Sequence, residues 1–173
     1  MRLLEASCAA FALLASVACG YQTAGRADTI PDEVRTIAIP PFQNNTTEFK
    51  IEQYLAEAVT REFQTRTRYR VVNGEDGADA TLRATVLTFF AIPANYDPNT
   101  NRASTINTLT NLHVTLSEAG SGRVLYQNPN LQHRERYEVS ADPRAYIEER
   151  QTALSRSSEA MARELVSAVL EGF

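Results

Sequence analysis

Residues 1–18 read as a segment made to be removed, which confines any fold to the chain from Cys19 onward. Arg2 and the amino terminus give a short positive start. An apolar run extends from Ala6 to Val17, and the small residues Ala15, Ser16 and Ala18 precede Cys19. The run is well short of the ~20 residues that a bilayer-spanning helix needs, so a secretory leader is expected and a permanent span is not. A small residue followed by cysteine is what a lipoprotein signal peptidase cuts before. On that reading cleavage falls between Ala18 and Cys19, the Cys19 thiol takes a diacylglycerol and its amine an acyl chain. The other reading is an ordinary leader cut nearby, with Cys19 incidental. Ser16 departs from the aliphatic residue usual three places before the cysteine, and Glu5 is unusual so near the positive end. Cys8 falls too early, since almost no apolar run precedes it. One acyl chain gives only marginal membrane binding, so three make stable attachment the expectation. Gly20 in place of Asp favours the outer membrane by the enterobacterial sorting rule.

Removing residues 1–18 leaves enough chain for a single domain. Residues 19–33 form the lipidated start and a polar tether, and residues 34–173 the globular part. Cys8 and Cys19 are the only cysteines, so the mature domain has no disulfide and no thiolate for a metal. No cofactor is expected beyond the lipid on Cys19. The net charge is −4, and Arg2 and Glu5 cancel, so cleavage hardly alters it. A general nucleic-acid binder wants a basic surface, and this chain lacks one. Lys50 is the only lysine. Arginine suits bidentate phosphate contacts, but a coding bias toward arginine gives the same count.

Ile37-Ala38-Ile39 reads as a short strand stopped by Pro40-Pro41, neither of which donates to a ladder. Gln43–Phe49 reads as a polar loop, with Thr46 and Thr47 as caps for the next helix and Glu48 near its positive end. Ile51, Leu55, Val59 and Phe63 recur every fourth residue and predict an amphipathic helix. Arg68–Val72 predicts a strand and Asn73–Gly77 a turn. Strand, helix, strand in that order predicts a right-handed crossover between parallel strands. Ala80–Ala91 is a long strand. Its alternation blurs at Leu87, Phe89 and Phe90, where both faces are expected to be covered. Pro93–Ala103 reads as a loop and Ser104–Glu118 as a strand with one apolar and one polar side. Ala119–Gly122 is a hairpin turn. The returning strand runs Arg123–Tyr126 and Leu131–Val139, with Asn128-Pro129-Asn130 marking an edge or a bulge. Asp142-Pro143 opens a final helix whose stripe includes Ile147, Leu154, Met161, Leu165 and Val169, and Gly172 ends it. The expected fold is α+β, a two-layer sandwich. One mostly antiparallel sheet of about four strands, entered by a β-α-β crossover, carries two helices on one face.

No catalytic constellation emerges, and an enzyme is not expected. His113 and His133 lack the paired spacing of a metal site and read as structural or solvated. Asp97, Asp142 and Glu148-Glu149 read as turn, cap and solvated helix face. There is no phosphate-binding glycine loop and no nucleophile elbow. One pattern could bind anions. Arg66, Arg68 and Arg70 alternate at the end of the first helix and into a strand, and Arg134 and Arg136 repeat the spacing. Two basic ladders gripping phosphates or sugar acids would look like this. So would solvent-facing strand positions with favourable charge at a helix C-terminus.

Cys19-Gly20-Tyr21-Gln22 and Ile30-Pro-Asp-Glu-Val-Arg-Thr-Ile-Ala-Ile-Pro-Pro-Phe-Gln-Asn-Asn-Thr-Thr-Glu48 together resemble the opening of the LptE family of lipopolysaccharide-assembly lipoproteins. Ala78-Asp-Ala-Thr-Leu-Arg-Ala-Thr-Val86, Val124-Leu-Tyr-Gln-Asn-Pro-Asn130 and Leu170-Glu-Gly-Phe173 extend the likeness in order along the mature chain. The resemblance implies a lipoprotein on the periplasmic side of the outer membrane. Its globular domain would plug the LptD-type barrel, help that barrel assemble and possess some affinity for lipopolysaccharide. Of the family's functional positions only the lipidated cysteine maps, onto Cys19. The strand, Pro-Pro-Phe-x-Asn, helix, strand order also resembles outer-membrane lipoproteins that activate peptidoglycan synthases or build secretion pores; the part from Ala78 onward favours the first family.

Overall fold

The computed structural model describes residues 30–99, 101–139 and 146–172, with backbone alone for 146–149. The leader, Cys19, most of the tether, the Asp142-Pro143 helix start and the side chains of Ile147 and Glu148-Glu149 lie outside the described part. The elements are β1 (Thr36–Ala38), β2 (Gln43–Asn44), α1 (Ile51–Arg66), β3 (Arg70–Val72), β4 (Ala80–Tyr96), β5 (Ala103–Glu118), β6 (Val124–Glu138) and α2 (Tyr146–Glu171). The strands form one sheet in the order β3-β1-β4-β5-β6, with β2 paired to β4. The class is α+β, as expected, but the sheet has six strands and is mixed. β1 runs parallel to both β3 and β4, β2 parallel to β4, and the long strands β4, β5 and β6 pair antiparallel.

The added strand comes from the stretch expected to be a loop. Ile37 pairs with Ala80, an offset of 43, whereas Gln43 pairs with Thr85, an offset of 42. β1 and β2 are thus two pieces of one extended segment, with one residue absorbed between them. Pro40 and Pro41 sit in that gap, where a missing N–H breaks no ladder bond.

The turn from β2 into α1 is built on Asn44. Its Oδ1 accepts from Thr46 N–H at 2.9 Å and Thr46 Oγ1–H at 2.7 Å, and its Nδ2 donates to the Glu48 carbonyl and to Glu52 Oε2, each at 2.8 Å. Thr46 and Thr47 therefore do not cap the helix. The N-cap position is Lys50, with φ of 65° and no side-chain cap bond. Glu48 is buried and takes two bonds from Arg150 Nη2 of α2, at 3.0 and 2.7 Å.

α1 buries Ile51, Leu55, Ala58, Val59 and Phe63, the expected stripe. α2 adds Leu154, Met161, Ala162, Leu165, Val166 and Val169 to the same core, which the sheet completes with Leu82, Ala84, Val86, Leu112, Val114 and Leu116. The two helices pack on each other, with Arg66 Nη1 donating to Ser167 Oγ at 2.8 Å. Gly172 ends α2 at a φ of 76°, its N–H donating to the Ala168 carbonyl.

Asp79 fastens β1 to the start of β4. Its Oδ2 accepts the backbone N–H groups of Arg35 at 2.9 Å and Thr36 at 2.8 Å. Those two donors hold its pKa below the ordinary carboxylate value. Glu118 is lowered likewise, by the Ser121 hydroxyl and then Arg123, which close the β5–β6 hairpin.

Candidate functional site

The sheet outruns its first helix. β4 has 17 residues and spans about 56 Å at ~3.3 Å per residue. α1 has 16 residues and covers about 24 Å. The distal half of the β4–β5 hairpin therefore reaches past α1, and Ala91–Tyr96 are all exposed. The loop expected over Pro93–Ala103 shrinks to residues 97–102, because both strands continue pairing up to Tyr96 and Ala103.

A phase change in β4 creates the surface of interest. The register shifts between Val86 and Thr88, so Leu87 is an extra residue and the alternation inverts beyond it. Phe89 turns to the core and Phe90 to the open face. The expectation that both faces are covered here is corrected: Phe90 is 52% and Ile92 61% exposed on the uncovered side. β5 and β6 complete the rows. Phe90 pairs with Leu109 and Leu109 with Arg134; Ile92 pairs with Asn107 and Asn107 with Arg136. Apolar side chains and two guanidinium groups thus share one face, two strands apart, about 10 Å at the usual strand spacing.

The open face between is a hydrogen-bonded polar net. Arg134 Nη2 donates to Gln132 Oε1 at 2.9 Å, Gln132 Nε2 to Asn111 Oδ1 at 3.1 Å, and Asn111 Nδ2 to Thr88 Oγ1 at 2.9 Å. This chain of bonds crosses β6, β5 and β4 and sets the direction of Arg134. His113 joins the same face through Thr115 and Gln127. His133 faces the other way. It is buried, with Nδ1 2.9 Å from Glu164 on α2 and Nε2 3.3 Å from Glu135. Both histidines are structural in this arrangement. No cluster of His, Cys, Asp and Glu suited to a metal occurs among the described residues. Among the same residues, no helix is long and apolar enough to cross a membrane.

The structure separates the two arginine ladders. Arg68 lies just ahead of β3 and Arg70 within it, at the sheet edge opposite β6. Arg66 is not in the extended run at all. It belongs to the last turn of α1, near Glu62 at 3.4 Å, and holds Ser167. Arg134 and Arg136 alone stand beside the exposed apolar row. The single-residue break in alternation at Leu87 is the available signal for that row.

The sequence profile of the LptE family, described as lipopolysaccharide-assembly, matches residues 34–169. The chain belongs to the LptE family. The match in this LptE-family chain covers every described strand, α1 and nearly all of α2. No curated protein sequence shows significant similarity to it. Among solved structures, it is similar in fold to a lipoprotein from Caulobacter crescentus, at 16% identity and a TM-score of 0.52, covering 75% of this chain and 88% of that one. The PelC dodecamer of Paraburkholderia phytofirmans matches at 12% identity and a TM-score of 0.54, over 80% and 89%. The rare lipoprotein B of Shewanella oneidensis matches at 10% identity and a TM-score of 0.50, over 80% and 92%. At these identities the likeness is one of fold. The LptE family is one of envelope lipoproteins in lipopolysaccharide assembly and is not an enzyme family.

Proposed function

We propose that the mature chain, acylated on Cys19 and held on the periplasmic side of the outer membrane, fills the lumen of an LptD-type barrel. There it helps the barrel assemble and meets lipopolysaccharide on its way to the outer leaflet. The family match over residues 34–169 carries this reading. The physical support is the open sheet face. A large barrel's interior is polar, and a face netted by Thr, Asn, Gln and His side chains suits contact with it. Lipopolysaccharide joins anionic sugars to acyl chains. Arg134 and Arg136 match its anionic groups and Phe90, Ile92 and Leu109 its apolar part. Arg68 and Arg70 form a second basic patch at the far edge.

Affinity purification from detergent-solubilised outer membranes, with mass spectrometry of the partner and of the N-terminal peptide, tests the core of this. An LptD-type barrel and a triacylated Cys19 are expected. Recovery of a peptidoglycan synthase, of a secretion pore, or of no barrel defeats the reading, as does an unacylated mature end. For the contacts, Arg134→Ala with Arg136→Ala should weaken lipopolysaccharide binding about tenfold, with a reduced salt dependence. Loss confined to Arg68→Ala with Arg70→Ala would move the contact to the opposite edge.

A further inference from the structure

On the covered side of the sheet, under the N-terminal half of α2, the surface is hollowed by a cleft open to solvent at one end of the hairpin. A cavity of about 550 Å³ opens there, within the roughly 300–1,000 Å³ of ordinary ligand sites. Ala91 and Pro93 of β4, Ile106 of β5, and Ala153 and Leu154 of α2 give it apolar walls. Small side chains at 91 and 153 leave this cleft wide, space that larger side chains would fill. Its lining on β5 runs from Ala103 to Thr108, five residues, about 17 Å at ~3.3 Å per residue.

Three polar features mark it as more than a packing gap. Glu48 and Arg150 line it and neutralise each other. Arg102 also lines it, and its guanidinium has no partner among the described residues, so among the described lining residues one positive charge is surplus. Ser157 lines the wall at 4% exposure, and its hydroxyl has no hydrogen-bond partner among the described residues. Buried hydroxyls are rarely left in that state.

We infer that this cavity binds a single long acyl chain with a monoanionic headgroup. The chain lies between α2 and the core side of the distal hairpin, the headgroup meets Arg102, and Ser157 bonds an oxygen carried along the chain. The inference is independent of the lipopolysaccharide contacts placed on the open face, since the two surfaces lie on opposite sides of the sheet.

The test uses the full mature chain in phosphatidylcholine nanodiscs, with diazirine-bearing palmitate as the probe. Irradiation should label the stretches 102–108 and 150–157. Ala153→Trp and, separately, Ala91→Phe should each cut that labelling at least about fivefold by filling the space. Arg102→Gln should weaken binding about fivefold, the effect of one charge-assisted contact at a part-exposed site. A fatty acid hydroxylated in mid-chain should compete better than its plain counterpart, and Ser157→Ala should erase that advantage. Phosphatidylglycerol bearing the same diazirine chain distinguishes a lipid-borne chain from a free fatty acid; labelling by either supports the site. Labelling spread over Phe90 and Ile92, or unchanged in both filled variants with native circular dichroism, overturns it. So does equal competition by a cationic amphiphile of the same length. None of these readouts involves the barrel, so the two readings fail separately.

Discussion

At the scale of single residues, polar side chains settle this fold, some through partners far off in sequence. Asp79 accepts two backbone N–H groups from the entry to β1, and no local pattern announces that. Its pKa is lowered in the folded state, so the carboxylate contributes stability above its unfolded pKa of about 3.9 and loses that contribution as pH falls through the folded value. Asp79→Asn should therefore lower the urea midpoint at pH 7, and the gap from the parent should close at low pH. A gap independent of pH would assign the effect to something other than the charge. Asn44 is a local counterpart, with four bonds to residues two to eight positions on, around the turn into α1. Asn44→Ala should cost about 1–3 kcal/mol by urea denaturation, the range for leaving part-buried donors and acceptors unpaired. The sequence shows Asn, Thr and Glu as turn formers. It does not show that Glu48 is spoken for by Arg150 rather than by the helix end.

Among the elements, legibility follows the length of the periodic signal. α1 is readable because its every-fourth-residue stripe persists for three turns, and its buried set is that stripe with Ala58 beside it. Phe63 is fully buried at the end of it. Phe63→Ala should destabilise by about 3–5 kcal/mol in denaturant titrations. A loss under about 1 kcal/mol would mean the surroundings collapse to fill the site. β2 is not readable, since two polar residues offer no period, and it pairs only because β4 extends past the end of β1. The distal half of β4 is half readable. A period-2 pattern that slips by one residue is the mark of a bulge, and Leu87 is that residue. Pro129 and Asn130 do the same in β6, where Leu131 pairs with Leu112 but Asn128 with Val114. There the proline names both the bulge and the edge.

For the whole molecule, the sequence specifies the layers better than the site. Two amphipathic helices and a sheet with one wet face emerge from alternation and stripe alone. The candidate surface needs the register: only pairing shows that Arg134 and Arg136 stand in the rows of Phe90 and Ile92 while Arg68 and Arg70 sit at the other edge. The helices also complete one core jointly, and the chain is expected to unfold as one unit. A version ending at Val139 should show no cooperative urea transition and should be cut by protease at sites the full chain protects. A sharp transition from that shorter chain would make α2 an addition to a finished domain.

Glu48 and Arg150 are separated by 102 positions. On the secreted route proposed above, a clamp closed over such a distance cannot form until nearly all of the polypeptide has emerged, and contacts this remote in sequence are slow to assemble. Until then the front half has its apolar stripe uncovered and is open to proteases. Pulse-labelled cells should accordingly show a brief protease-sensitive stage before the mature lipoprotein becomes resistant.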